Sequence, residues 1–232
     1  MPGEYRQRRE SRASASRRIP EPETGINRVE IKEDIPIFQL ILGENMSESS
    51  TKAVWIDSGN NSSTYALSSA GSQELLHRVK IGRAFTAFQH YHIVNRIEEF
   101  LDEDTEYIVL PNIDQQYIEG NVSEKEVEDL FSEVLNKLES LKTERPDLKI
   151  LYSVVSTGPN PINLELKNIT DNRIRIEKTD QGLREKSNTD QQLFYRKNGF
   201  MQTTIPYWRK KNHRKPQNTV KVDYNGENER YV

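Results

Sequence analysis

Nearly unbroken apolar runs, separated by helical periodicities, dominate the middle of the chain. The runs occupy residues 52–57, 106–110 and 148–155 and are typical of parallel strands covered on both faces. Between them, apolar residues recur every three or four positions over 88–101 and 127–141, the spacing of amphipathic helices. This alternation predicts an α/β fold with a mainly parallel sheet and right-handed crossovers.

Shorter signals complete a predicted three-layer architecture, with helices on both faces of the sheet. Val29 and Ile31 alternate with charged residues, which indicates a short edge strand near the start of the domain. Pro36 favours the first turn of a helix. Ser123 and Glu126 have the spacing of a capping box, which predicts the start of the longest helix.

The last part of the predicted domain has a period of two. Residues 172–177 alternate, and the strand candidates 193–195 and 201–207 flank Asn198-Gly199, a strong hairpin signal. The sheet is therefore expected to end in antiparallel strands. The whole α/β domain is predicted to cover residues 26–208.

Both ends of the chain are polar and lack a hydrophobic period. Residues 1–25 hold arginines among Ser, Gly and Pro and are predicted to form a disordered basic arm, while residues 209–232 are predicted to form a flexible basic tail. Binding to a DNA backbone is the functional interpretation of the tail, and simple solvation is the alternative. Its candidate DNA-binding residues are Arg209, Lys210, Lys211, Arg214 and Lys215.

Composition narrows the partners and the chemistry. The 33 basic and 36 acidic residues give a formal net charge of -3, so nucleic-acid binding has to come from local patches. The chain has no cysteine, which excludes disulfides and thiolate metal sites and favours a cytoplasmic location. No apolar run approaches the roughly 20 residues that span a bilayer, so we expect no membrane partner. His90 and His92 are two residues apart and fall on different helical faces, so we expect neither a metal nor a cofactor.

Three segments resemble the ATP-binding core of the RecA/RadA recombinases. AVWIDSGNNSSTYAL (53–67) resembles the second core strand, and VKIGRAFTAFQHYHIVNRIEEFL (79–101) resembles the strand and helix that follow it. TEYIVLPNIDQQY (105–117) occupies the Walker B position. TDNRIRIEKTDQGLR and GFMQTTIPYW resemble the terminal strands of an archaeal RecA-like family that lacks the motifs for nucleotide hydrolysis. The core resemblance covers residues 52–155, about half of the chain.

The resemblance implies a P-loop NTPase fold, but its phosphate-binding motif is missing. A phosphate loop reads G-x-x-x-x-G-K-[ST], and the sequence contains no such stretch. Pro111 stands where the Walker B acid is expected, and Asp114 follows three residues later. Nucleotide hydrolysis is therefore disfavoured. The alternatives to nucleotide binding are that Asp114 is a turn-forming or capping carboxylate and that Arg83 is a structural arginine. The candidate nucleotide-binding residues are Asp57, Asn60, Arg83 and Asp114.

Three hypotheses of function follow from this combination. The leading one is a non-catalytic RecA/RadA-like protein that binds DNA, or a partner such as a recombinase, in DNA repair or recombination. The second is a divergent nucleotide-binding ATPase that uses the polar loop at residues 58–63. The third is a regulatory subunit that makes no contact with DNA.

Overall fold

A computed structural model describes residue 19 and residues 21–31, 35–47, 49–71, 73–120, 122–156, 158, 160–179, 182–186, 191–197 and 200–203. Most of the predicted basic arm lies outside these residues. The predicted turn at Asn198-Gly199 and the whole basic cluster after Trp208 also lie outside them.

Strands and helices alternate along the described chain. The strands are β1 (Gly25–Ile31), β2 (Lys52–Asp57), β3 (Val79–Arg83), β4 (Thr105–Leu110), β5 (Lys149–Tyr152), β6 (Asn172–Thr179), β7 (Gly182–Glu185), β8 (Gln191–Lys197) and β9 (Phe200–Thr203). The helices are α1 (Ile37–Met46), α2 (Thr64–Ala70), α3 (Gln73–Arg78), α4 (Ala87–Asn95), α5 (Gln115–Ile118), α6 (Glu124–Glu144) and α7 (Pro161–Ile169), and a 3₁₀ turn covers Ile97–Phe100. None of these helices combines the length and the apolar composition needed to cross a bilayer.

Six strands form a parallel block in the order β3-β2-β4-β5-β1-β6. The predicted α/β class with a parallel sheet is confirmed. Strand β7 pairs with β6, β8 with β7 and β9 with β8, each in antiparallel orientation. The described part of the sheet therefore grows outward from β6 in chain order.

Two hydrophobic layers cover the two faces of the sheet. Helices α1, α2 and α3 pack on one face, against the side of β2 that presents Ala53 and Trp55. Helices α4, α6 and α7 pack on the other face, against the side of β2 that presents Val54 and Ile56. Because successive strand residues point to opposite faces, the apolar run of β2 supplies both cores.

Strand β1 lies inside the sheet, so the prediction of an edge strand is wrong. It pairs with β5 on one side and with β6 on the other. Its sequence alternates because Val29 and Ile31 pack against the α1 layer, whereas Arg28 and Glu30 point to the other face. Arg28 and Glu30 also line a cavity. The alternating sequence of β1 therefore reflects an interior strand with one apolar face and one polar face.

Helix α4 differs from its predicted apolar face. The predicted stripe begins at Phe88, yet this side chain is 46% exposed, and the helix ends at Asn95. The buried residues of the helix are Ala87, His90 and Val94, of which only Val94 belongs to the predicted stripe. The α4 layer thus includes an imidazole that the sequence pattern does not mark as buried.

Helix α7 has no counterpart among the predicted elements. Asn160 caps it, because the Asn160 side chain accepts a hydrogen bond of 2.7 Å from the backbone N–H of Asn163. Pro161 occupies the first turn, where its missing N–H costs nothing. This helix carries the crossover from β5 to β6 and closes the second face of the sheet.

Candidate functional site

The carboxyl edge of the parallel block holds the candidate site. Helix α1 leaves β1 toward one face of the sheet, and α7 leaves β5 toward the other, so the chain reverses direction between these neighbouring strands. Such reversals open ligand crevices in α/β sheets. A cavity of about 570 Å³ lies there and is bordered by Pro36, Gln39, Asn60, Asn61 and Asn112.

Asp57 ends β2 and organises the loop that follows it. Its Oδ1 accepts the backbone N–H of Asn61 at 2.7 Å, and its Oδ2 accepts the backbone N–H and the hydroxyl of Ser62 at 3.1 and 2.6 Å. The side chain is fully buried. The carboxylate therefore fixes the loop conformation, and both of its oxygens already have donors.

Asp114 does the same for the loop after β5. Its Oδ1 accepts the backbone N–H of Val155 at 2.8 Å, and its Oδ2 accepts the backbone N–H and the hydroxyl of Ser156 at 3.0 and 2.6 Å. Asp114 is fully buried. Two aspartates at neighbouring strand ends thus make the same three-donor arrangement.

Asn60 and Arg83 lie beside the Asp57 loop. Asn60 has a left-handed backbone with a φ of 56°, and it borders both the large cavity and a smaller one of about 210 Å³ that Arg83 also lines. The Arg83 guanidinium donates to the Ser62 hydroxyl at 3.3 Å, and its Nε lies 3.8 Å from Asp57. Three of the four sequence-predicted residues therefore meet at one loop, and Asp114 lies at the next.

The crevice is poorly suited to a metal-bound nucleotide. Magnesium in nucleotide sites is held by carboxylates and phosphates with open coordination positions. Both buried aspartates use their oxygens for loop hydrogen bonds, and the described residues include no group of three or more His, Asp or Glu side chains placed to hold a metal. The residues before α1, Ile35 and Pro36, include no glycine, and Pro36 has no backbone N–H that could donate to a phosphate.

Two polar residues of the cavity wall are absent from the sequence-based candidates. Asn112 has a left-handed φ of 53°, and its backbone N–H donates to the Ser153 hydroxyl at 2.9 Å. That hydroxyl donates back to Asn112 Oδ1 at 3.1 Å. The pair joins the ends of β4 and β5 and borders both the crevice and the cavity that Arg28 and Glu30 line. The available signal was a polar residue at or just after the end of an apolar strand.

His90 and Tyr117 form a buried polar pair on the face of the sheet that α4 and α6 cover. His90 Nδ1 lies 2.9 Å from the Tyr117 hydroxyl, and the Tyr117 ring meets Phe131 edge-on at 4.9 Å, which joins α4, α5 and α6. Burial lowers the pKa of His90 from 6.5 to about 4, because the charged imidazolium would lose its hydration. Burial also raises the pKa of Tyr117. At neutral pH both groups are uncharged.

Comparisons with known proteins add no relative. No protein-family model matches the chain, and no curated protein matches it. The resemblance of its segments to recombinases therefore remains a prediction from the sequence.

Proposed function

We propose that the chain is a non-catalytic RecA-like protein that binds DNA, or a recombination or repair partner, in the cytoplasm. In this proposal the six parallel strands, together with an antiparallel C-terminal end, are a RecA-like scaffold. The scaffold has lost phosphate-binding chemistry and serves as a rigid base for binding segments.

One observation carries this proposal: the acids at the carboxyl edge are committed to the fold. Asp57 and Asp114 each accept three hydrogen bonds from their own or a neighbouring loop. A catalytic site for phosphoryl transfer needs acids that face a metal or a water molecule. A binding role needs only the scaffold and an exposed contact surface, which this arrangement leaves in place.

The DNA contacts are assigned to the basic cluster after Trp208, with the basic arm as a second contact. If five cations each neutralise one phosphate of a single strand, affinity falls roughly a hundredfold when salt rises from about 50 to 200 mM. Sequence preference should be weak, because phosphate contacts carry no base information.

A titration of labelled single-stranded DNA by fluorescence anisotropy tests the proposal at both salt concentrations. We expect the salt dependence above, and we expect substitution of the five cluster residues by glutamine to remove most of it. The matched variant replaces five arginines of the N-terminal segment by glutamine and measures the contribution of the arm. Binding that ignores salt, or that neither variant weakens, would contradict direct DNA contact. The cluster residues are Arg209, Lys210, Lys211, Arg214 and Lys215, and the matched arginines are Arg6, Arg8, Arg9, Arg12 and Arg17.

A divergent ATPase is the second candidate, and the large cavity favours it. Its volume of about 570 Å³ lies in the range of small-ligand sites. Among the described residues, Trp55 Nε1 and Asn61 Nδ2 are buried polar atoms without a hydrogen-bond partner, and both residues border this cavity. Thermal unfolding with millimolar ATP and magnesium distinguishes the candidates, because a bound nucleotide would raise the melting temperature. We expect no rise. Co-purification with a recombinase in the absence of DNA would instead favour the regulatory subunit.

A further inference from the structure

The polar face of β1 and β6 forms a charged cluster beside α7. Arg28 and Glu30 on β1 lie opposite Arg173 and Arg175 on β6 in the parallel register. All four are on the face that Ile26 shares with the α7 layer, because residues two apart in a strand point the same way.

Positive charge exceeds negative charge in this cluster. Glu30 is the only described carboxylate paired with the three arginines: it accepts Arg175 Nε at 2.7 Å, lies 3.1 Å from Arg28 Nε and lies 4.0 Å from Arg173. The nearby Glu177 pairs with Lys186 at 3.1 Å. One carboxylate cannot neutralise three guanidinium groups, so the cluster carries an excess of positive charge.

Arg28 is the most unusual member of the cluster. Only 9% of the residue is exposed, and its Nε and Nη1 are buried without a hydrogen-bond partner among the described residues. The contact between Nε and Glu30 is short but lacks hydrogen-bond geometry. Buried charged groups are normally paired. Arg28 therefore adds a buried positive charge to the cluster, with Glu30 as its ion-pair partner.

A cavity of about 480 Å³ lies against this charged cluster. Its charged lining consists of Arg28, Glu30, Arg175, Glu177 and Lys186, so positive charge exceeds negative charge there. Guanidinium forks bind phosphate oxygens. Ser153 and Ser156 also line the cavity, but their hydroxyls already donate to Asn112 and Asp114.

We propose that this cavity binds a phosphate group, with Arg175 as its principal donor and with Arg28 and Lys186 as further positive charges. The phosphate belongs to a small molecule or to a nucleic-acid backbone. The proposal does not depend on DNA binding by the basic cluster after Trp208, and it does not depend on the RecA-like ancestry.

Isothermal titration with pyrophosphate at low salt tests the site on the full chain. We expect Arg175→Gln and Arg28→Gln each to weaken binding about tenfold or more. Arg175→Gln removes charge-assisted hydrogen bonds, and Arg28→Gln removes positive charge from the cavity wall. The matched control is Arg96→Gln. Arg96 also donates through Nε to a glutamate, Glu99, at 2.8 Å, but it does not line the cavity, so its loss should leave affinity unchanged.

The outcomes decide the proposal. If the wild-type chain does not bind pyrophosphate at about 5 mM, or if Arg175→Gln binds as tightly as Arg96→Gln, the proposal is wrong. Arg175 is half-exposed, so its variant remains informative even if Arg28→Gln fails to fold. Competition with a single-stranded oligonucleotide identifies the source. If the oligonucleotide displaces pyrophosphate and the displacement depends on Arg175, the ligand is a backbone phosphate. If pyrophosphate binds but the oligonucleotide does not displace it, the ligand is a small phosphorylated molecule.

Discussion

Protonation of His90 should destabilise the fold in mildly acidic solution. His90 is fully buried on α4, its Nδ1 pairs with the Tyr117 hydroxyl, and its Nε2 has no hydrogen-bond partner among the described residues. Burial lowers its pKa from 6.5 to about 4. The described contacts of the imidazole include no carboxylate that could stabilise the imidazolium.

The sign and size of the effect follow from proton linkage. Above pH 6.5, His90 is neutral in both the folded and the unfolded chain, and its full contribution to stability is present. Between pH 6.5 and about 4, the unfolded chain binds a proton that the folded chain does not, so the free energy of unfolding falls with pH. At about 1.4 kcal/mol per pH unit, the loss is about 3 kcal/mol over this window.

Urea unfolding at pH 7 and pH 4, followed by the fluorescence of buried Trp55, measures this loss. The reference is the double variant His90→Leu with Tyr117→Phe, which removes both polar partners together and leaves no unpaired hydroxyl. We expect the wild-type chain to lose about 3 kcal/mol more than this variant. His92→Gln on the same helix changes an exposed imidazole and should behave like the wild type. Equal losses in the wild type and the double variant would refute the reasoning.

Two further predictions concern local structure. The Ser123 hydroxyl caps α6: it accepts a hydrogen bond from the Glu126 backbone N–H and donates one to the Glu126 carboxylate. Ser123→Ala removes this cap and should lower the free energy of unfolding by about 1 kcal/mol in chemical denaturation. Ser132→Ala on the exposed face of the same helix should cost nothing, and equal effects would argue against the capping box. Asp114→Ala leaves two backbone N–H groups and a hydroxyl without acceptors and should cost about 2–4 kcal/mol without altering DNA affinity. A variant as stable as the wild type would show that water replaces the carboxylate.

The sequence predicts the parts of the fold that depend on local pattern. Strand β2 follows from its apolar run, and α6 follows from its stripe and its capping box. Helix α7 is short and follows a Ser-, Gly- and Pro-rich stretch, so the cap at Asn160 was its main signal. The interior position of β1 depends on pairing with β5 and β6, far along the chain, which alternation cannot report.

The candidate site also has parts that the sequence predicts and parts that depend on the folded structure. Asp57 is predictable as a polar residue at the end of a strand, and Asp114 as a carboxylate in the loop after the next apolar strand, since both positions are visible in the sequence. Their inward orientation depends on loop conformation, and the sequence leaves it open. The arginine cluster requires the parallel register that sets Glu30 opposite Arg175, residues separated by 145 positions. Sequence reasoning therefore places its candidate residues at the carboxyl edge of the sheet, whereas the arginine cluster becomes visible only in the folded structure.

The interior position of β1 also constrains how the protein is synthesised. Its two neighbours begin at Lys149 and Asn172, so both long edges of β1 stay open until those residues have left the ribosome. Closing such long loops slows folding, and exposed strand edges invite wrong pairing. Biogenesis of this protein should therefore depend on chaperone protection of the nascent N-terminal strand.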